Sequence, residues 1–407
     1  MDRFGKSIED IIKDTPYQIA AGIIADKSSS QGIEFTARER QKLVDHLKTD
    51  PAGNFRFRKF RLFGRKVVIE TTEEDLSVFD RLYSKFMEDG LEELMGSLTD
   101  EFAGEGFLAL KRSWPHNRHR EDRRRRGFER RLQKRWGVGL DKMRMLLDVA
   151  REFGESTHSR LQDESNIACP NLVDVLARLH ARGCQVAEEI VGLMSAGLAD
   201  GAMARWRTLH EIAVVAMFLR ERGEGMAERY IDHQAVESHK AVHEYQDYCE
   251  RLGYEEMSAK EVEAQDRAFE DVMKKYGPGF ERPYGWAGGE GGLKDATFPN
   301  IEKEASVDHL RGHYRMASHN VHANPKGIFF KIGLIEDSAC LLAGPSNMGL
   351  ADPGHAAAIS LMQISSALGL LRPTVNSLVT LKILVLLSDE VGEALLEAHR
   401  RLEDDIG

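Results

Sequence analysis

Cysteine is scarce. Cys169, Cys184, Cys249 and Cys340 are the only four in 407 residues, and no two form a CxxC pair. A structural zinc held by four cysteines, or by two cysteines and two histidines, is therefore not expected. Isolated cysteines of this kind suit a reducing, cytoplasmic setting. A long hydrophobic run is missing as well. The most apolar stretch, Ala356–Leu371, breaks at Arg372-Pro373 and resumes as Thr374–Leu387 with Lys382 inside. Each half is too short, and too rich in Ser, Gln and Asn, for a bilayer span. Two buried helices and no membrane contact are the expectation. The first residues, Met-Asp-Arg-Phe-Gly-Lys, mix acids and bases where a secretory signal needs an apolar core. There is no G-x-x-x-x-G-K-[ST] phosphate loop and no G-x-S-x-G elbow. The glycines at 288–292 lack the flanking strand and helix of a dinucleotide fold. No cofactor is expected.

Apolar residues make up 42% of the chain, enough for a sizeable core, so global disorder is excluded. The formal net charge of −10 hides an asymmetry. Lys111–Arg135 holds twelve Lys/Arg against three acids, which leaves 44 basic against 63 acidic residues elsewhere. A uniformly basic nucleic-acid coat is excluded, but one basic stripe on an acidic body is not.

Organisation follows from composition and periodicity. Thr36–Asp50 reads as a helix with a Thr cap, after a flexible stretch at Ser28-Ser29-Ser30. Phe55, Phe57, Phe60, Leu62, Val67, Val68 and Ile69 suggest a β-hairpin across Gly64-Arg65. From Gly139 onward the helical period dominates, and Ala202–Arg220 is apolar over enough of its surface to be central. Gly277–Pro299 carries seven glycines and three prolines in 23 residues and reads as a lid, a binding loop or a spacer. Ala305–Ala323 reads as one helix ended by Asn324-Pro325, and Ile328–Ile335 as a short strand. The fold class is mainly α: a small N-terminal α+β appendage (1–110), an arginine-rich connector (111–136) and a large C-terminal helical bundle (137–407).

Four constellations could carry chemistry. The connector holds Arg118, Arg120, Arg123, Arg124, Arg125, Arg126, Arg130 and Arg131, with Trp114 among them. Arginine interleaved with aromatics suits phosphate neutralisation and base stacking, and a solvated helix face is the competing explanation. In residues 309–325, a helix of about 100° per residue puts Arg311, Arg315, His319 and His322 in one narrow band. An arginine can hold a phosphate while a histidine moves a proton. The competing explanation is a buried polar network. Arg207 and Glu211 form an i, i+4 pair on the central helix, either a structural clamp or a support that orients the Arg/His helix. Last, His239 and His243 share a helix face and form a weak metal pair, with no third ligand evident in the sequence.

From about Leu172 to Leu371 the chain resembles a bacterial family catalogued as a domain of unknown function, number 5677. The residues that carry the resemblance are Arg207-Thr-Leu-His-Glu211, Tyr230, Tyr284-Gly-Trp286, Tyr314 through Pro325, and Gly344-Pro-Ser-Asn347. The resemblance implies a helical fold. Arg315 and His322, with six residues between them, further resemble the R-x(4–6)-H motif of HEPN ribonucleases, helical bundles that dimerise to join two such motifs and are frequent in toxin and phage-defence systems. The position after the arginine is Met316, where that pattern commonly has a polar residue. The resemblance implies a metal-independent ribonuclease, with Arg315 binding phosphate and His322 transferring a proton. His319, Tyr314 and Arg311 are supporting candidates beside Arg207 and Glu211. The expectation is an RNA-cleaving or RNA-binding homodimer. The alternative is a non-catalytic helical scaffold or sensor that binds nucleic acid or an acidic partner through the arginines.

Overall fold

The computed structural model describes residues 2–50, 70, 72–163, 168–322, 324–334 and 341–405. The chain is mainly α. Its helices are α1 (Asp2–Ser30), α2 (Ala37–Thr49), α3 (Glu73–Lys85), α4 (Leu91–Asp163), α5 (Pro170–Ser195), α6 (Ala199–Arg222), α7 (Glu224–Asp232), α8 (Gln234–Leu252), α9 (Ala259–Tyr276), α10 (Phe298–Glu304), α11 (Arg311–Val321), α12 (Pro325–Phe329), α13 (Ala351–Gly369) and α14 (Val375–Asp404). Among the described residues the only β pairing is an isolated bridge between Gly288 and Leu293. The expected hairpin at Phe55–Ile69 lies outside the described residues. No described helix is long and apolar enough to cross a membrane.

Two compact units are present, Met1–Arg123 and Arg124–Gly407. In the first, α1 and α2 bury Ala21, Leu43 and Val44 with Tyr17, Ile24 and Leu47 around them. Thr36 starts α2 through a reciprocal capping box with Glu39, as its sequence suggests. Ser28–Ser30 is the last turn of α1 rather than a flexible stretch. Ser28 is buried, and its hydroxyl donates to the Ile24 carbonyl at 2.6 Å.

The second unit is built around α6 and α13. Helix α6 buries Ala202, Met203, Trp206, Leu209, His210, Ala213 and Val214 along its length, so it is central as its composition suggests. It packs on α5 and α13, α13 packs on α14, and α10 and α11 lie against α6. Trp206 ties α6 to α13 through Nε1 to Ser360 Oγ, 3.0 Å. Trp136 of α4 donates to Asn347 Oδ1 at 3.1 Å, which gives the Gly344–Asn347 motif a packing role. Helix starts are closed by neighbours as well as by local caps. The Glu224 carboxylate at the start of α7 accepts from the Asn171 and Leu172 N–H groups of α5, at 3.0 and 2.9 Å.

The glycine-rich segment is neither slack nor an open lid. It folds into two 3₁₀ turns, Pro278–Glu281 and Gly285–Ala287, that bury Phe280, Trp286 and Ala287. Arg229 of α7 holds it, donating from Nε to the Trp286 carbonyl (3.0 Å) and from Nη2 to the Gly285 carbonyl (3.1 Å). Glycine is required at 285 because a Cβ there would sit 2.2 Å from the Phe280 carbonyl oxygen. Composition marks this segment as irregular but does not show that it is packed.

The single helix expected over 305–323 is interrupted. Helix α10 ends at Glu304, a 3₁₀ turn covers Asp308–Leu310, and α11 runs only to Val321. The expected strand at Ile328–Ile335 begins instead as α12, whose first turn is capped by Asn324 Oδ1 accepting from the Gly327 N–H at 2.9 Å. Pro325 at the first helical position suits a helix start better than a strand.

Candidate functional site

Helix α11 docks on α6 through Tyr314. The phenol is buried, stacks on Phe298 of α10 (centroids 4.9 Å apart) and donates from its hydroxyl to Glu211 Oε1 at 2.6 Å. Arg207 lies one helical turn before Glu211. Its Nε sits 3.2 Å from Glu211 Oε1, an ion-pair contact without a directed hydrogen bond, and its guanidinium lies 5.1 Å from the Tyr314 ring centroid. Arg311 covers the same ring at 5.4 Å and donates from Nη1 to Glu302 Oε2 at 2.7 Å. The other Glu302 oxygen faces His210 Nε2 at 2.8 Å, and both of those side chains are fully buried.

The protonation pattern of this network follows from burial. Burial pushes the His210 imidazole below its ordinary range, with Glu302 opposing the shift. The neutral ring then carries its proton on Nε2 and donates to Glu302, and the buried Nδ1 has no hydrogen-bond partner. Glu302 thus accepts from His210 on one oxygen and from Arg311 on the other. Burial, then the bond to Glu211, pushes the Tyr314 phenol up to about 12, so it stays a donor throughout the physiological range. Tyr284, from the packed glycine-rich segment, is raised by burial and by the nearby Glu211. Tyr314 therefore anchors α11 to α6 and α10. Arg207, Glu211 and Arg311 belong to the same clamp. Glu302, which holds it from below together with His210, does not stand out in the sequence, because neither periodicity nor spacing shows that α6 and α10 meet there.

The other face of α11 is open. Arg315 and His322 are both exposed, and His319 is half-buried. The expected helical band does not reach His322. That residue follows the last helical position with extended dihedrals (φ −106°, ψ 143°), so the 100° progression stops before it. Among the described residues, Arg315 and His322 have no side-chain hydrogen bond or ion pair. Arg315 thus differs from Arg207 and Arg311, each of which faces a carboxylate. His319 is held by Asn324, whose amide donates to Nδ1 at 2.7 Å, and this leaves the ring proton on Nε2.

The arginine run lies inside α4 and is helical throughout. Arg118, Arg120, Arg123, Arg124, Arg125, Arg126, Arg130 and Arg131 are all exposed, as is Trp114. A linear stripe becomes a sorted set of directions once it is wound into a helix. At about 100° per residue, Arg124, Arg126, Arg130 and Arg131 fall within a sector about 160° wide, opposite the buried Leu132 and Trp136. Arg125 falls outside that sector and pairs with Glu129 at 3.2 Å. Arg118 lies 4.0 Å from Asp122.

Two further clusters hold reactive side chains. His180 lies beside a groove between α4 and α5, 3.1 Å from Ser365 Oγ and 3.8 Å from Cys184 Sγ. Burial pushes the imidazole down to about 4 and the thiol up to about 11, so neither the imidazolium nor the thiolate of an activated Cys–His pair forms near neutrality. On α8, His239 and His243 do meet a third candidate ligand, Asp266 of α9, with their ligand atoms all within 4.8 Å of one another.

Residues 173–338 match the model of a family described only as a family of unknown function, DUF5677. The match takes in the α6–α11 clamp, the glycine-rich turns and the Arg315–His322 segment, and it stops short of Gly344–Asn347. No curated protein and no solved structure matches the chain.

Proposed function

We propose that this chain binds RNA and cleaves it without a metal ion, with the reacting groups on the open face of α11. The observation that carries the reading is Arg315, an exposed guanidinium with no carboxylate partner among the described residues, whereas Arg311 on the same helix faces Glu302 and Arg207 on the adjoining α6 faces Glu211. The buried clamp beneath supports it, because α11 is anchored by Tyr314 and Arg311 while Arg315 and His322 stay in solvent.

In this reading Arg315 holds the non-bridging phosphate oxygens in a bidentate contact. His322 takes the proton of the ribose 2′-hydroxyl, which attacks the adjacent phosphorus and expels the 5′-oxygen, and that oxygen takes a proton from solvent water as it leaves. The products are a 2′,3′-cyclic phosphate and a 5′-hydroxyl end. His319, with its proton fixed on Nε2, donates a hydrogen bond to the phosphate. The exposed arginine sector of α4 supplies non-specific attraction for the polyanion. A second copy of the chain would contribute a second Arg/His pair.

Purified protein incubated with single-stranded RNA in EDTA tests this reading. Wild type should produce cyclic-phosphate ends, and Arg315→Ala and His322→Ala should each lose at least about 100-fold in rate, the scale of a general acid–base contribution. Because both side chains are exposed, neither variant should change in melting temperature. Equal cleavage by wild type and variants would overturn the catalytic assignment. RNA binding without cleavage would favour the second reading, a non-catalytic RNA-binding protein, which the exposed arginine sector supports by itself.

A further inference from the structure

Helices α8 and α9 form a hairpin that neither the clamp nor the arginines use. The turn between them is tightly specified. Gly253 closes α8 in the left-handed conformation (φ 70°), and Ser258 opens α9 through a capping box with Glu261. The register set by this turn brings Asp266 opposite His239 and His243, which are one helical turn apart on α8. His243 Nε2 lies 2.7 Å from Asp266 Oδ1, and His239 Nε2 lies 3.4 Å from the same oxygen. The two imidazole centroids are 4.5 Å apart. His239 is also stacked on Phe269 of α9, centroids 4.1 Å apart and nearly parallel, which fixes its ring plane.

Ligands at 2.0–2.1 Å from a tetrahedral zinc stand about 3.4 Å apart. The His239–Asp266 separation already has that value, and the His243–Asp266 separation must open by about 0.7 Å to reach it. That movement is small for a side chain 48% exposed. Convergence of two neutral nitrogens and one carboxylate oxygen suits a borderline divalent metal better than a hard cation, which prefers oxygen alone. The hairpin is also net acidic, with nine Asp/Glu against six Lys/Arg in α8 and α9, a field that attracts cations. His239, His243 and Asp266 are respectively 26%, 48% and 40% exposed, so a bound ion would keep an outward position for water or another ligand.

We propose that His239, His243 and Asp266 form a binding site for one divalent transition-metal ion of the zinc class, which staples α8 to α9. The site is independent of the RNA reading and stands or falls without it. Binding displaces any proton shared between the imidazoles and the carboxylate, so protein–metal bonds replace the His–Asp hydrogen bonds.

The test uses the full chain, stripped with EDTA and dialysed free of it. Titration with Zn²⁺ by calorimetry, and with Co²⁺ by visible absorption, should show one equivalent bound. His243→Ala and Asp266→Asn should each weaken binding by more than about 10-fold, the lower end of the loss when even an outer partner of a ligand is removed. At equal Zn²⁺ the melting temperature of wild type should rise, and that of both variants should rise less. Both positions are substantially exposed and Asp266→Asn keeps the side-chain shape, so circular dichroism of the variants should match wild type. No binding by wild type, or binding of equal strength by wild type and Asp266→Asn, would overturn the site.

Discussion

Glu302 is a buried carboxylate with two partners, one neutral (His210) and one charged (Arg311). Glu302→Ala should therefore destabilise the fold by about 3–5 kcal/mol, the cost of removing one member of a buried pair. Tyr314→Phe keeps the stacked ring and loses only the hydroxyl bond to half-exposed Glu211, so its cost should be about 1 kcal/mol. Urea denaturation measures both, and equal costs would show that Glu302 is not the centre of the clamp. His180 makes a pH-dependent contribution. Burial depresses its folded pKa to about 4 from 6.5, so between those values the unfolded chain binds more protons. Stability from this residue is complete above pH 6.5 and is lost as pH falls towards 4, by about 3 kcal/mol in all. In His180→Asn, stability measured across that window should fall less steeply than in wild type.

At the scale of the helix, winding decides what a charged sequence does. The arginine run of α4 looks like a continuous stripe when written out, yet its members point in several directions, and Arg118 and Arg125 stand beside Asp122 and Glu129 of the same helix. Arg130 and Arg131 lie in the outward sector. If that sector meets RNA, the double variant Arg130→Glu/Arg131→Glu should bind single-stranded RNA more weakly. Its dependence of log K on log salt should flatten by about 0.7 for each phosphate that is no longer neutralised. Fluorescence anisotropy across a salt series measures this, and an unchanged slope would remove the sector from the interface. The short α11 makes a related point. Its amphipathic pattern is legible, but Asn324-Pro325 predicts an end at Ala323, and the two-residue difference moves His322 off the helix. Proline marks where a helix cannot continue, not where the last hydrogen-bonded turn closes.

At the scale of the whole molecule, the main core runs from Leu132 to Leu402 and lies entirely within the second unit. Residues 124–407 produced alone should therefore fold and unfold in one cooperative thermal transition. A sloping, non-cooperative melt would show that the first unit is needed. Much of this architecture is legible along the chain. The helical period from Gly139 onward, the apolar run of α6 and the break at Arg372-Pro373 reflect burial patterns that local spacing records directly. The Arg207–Glu211 pair is visible for the same reason, because both residues sit on one helix. Sequence alone thus determined the mainly α class, the central place of α6, the arginine run and the residues of the Arg/His segment. Tertiary structure alone decided that Glu302 and His210 lie beneath α11, that Asp266 completes the pair on α8, and that Tyr314 turns inward while Arg315 stays in solvent. Those facts depend on which helices meet and at what register. Pairings between residues tens to a hundred positions apart leave no periodic trace along the chain.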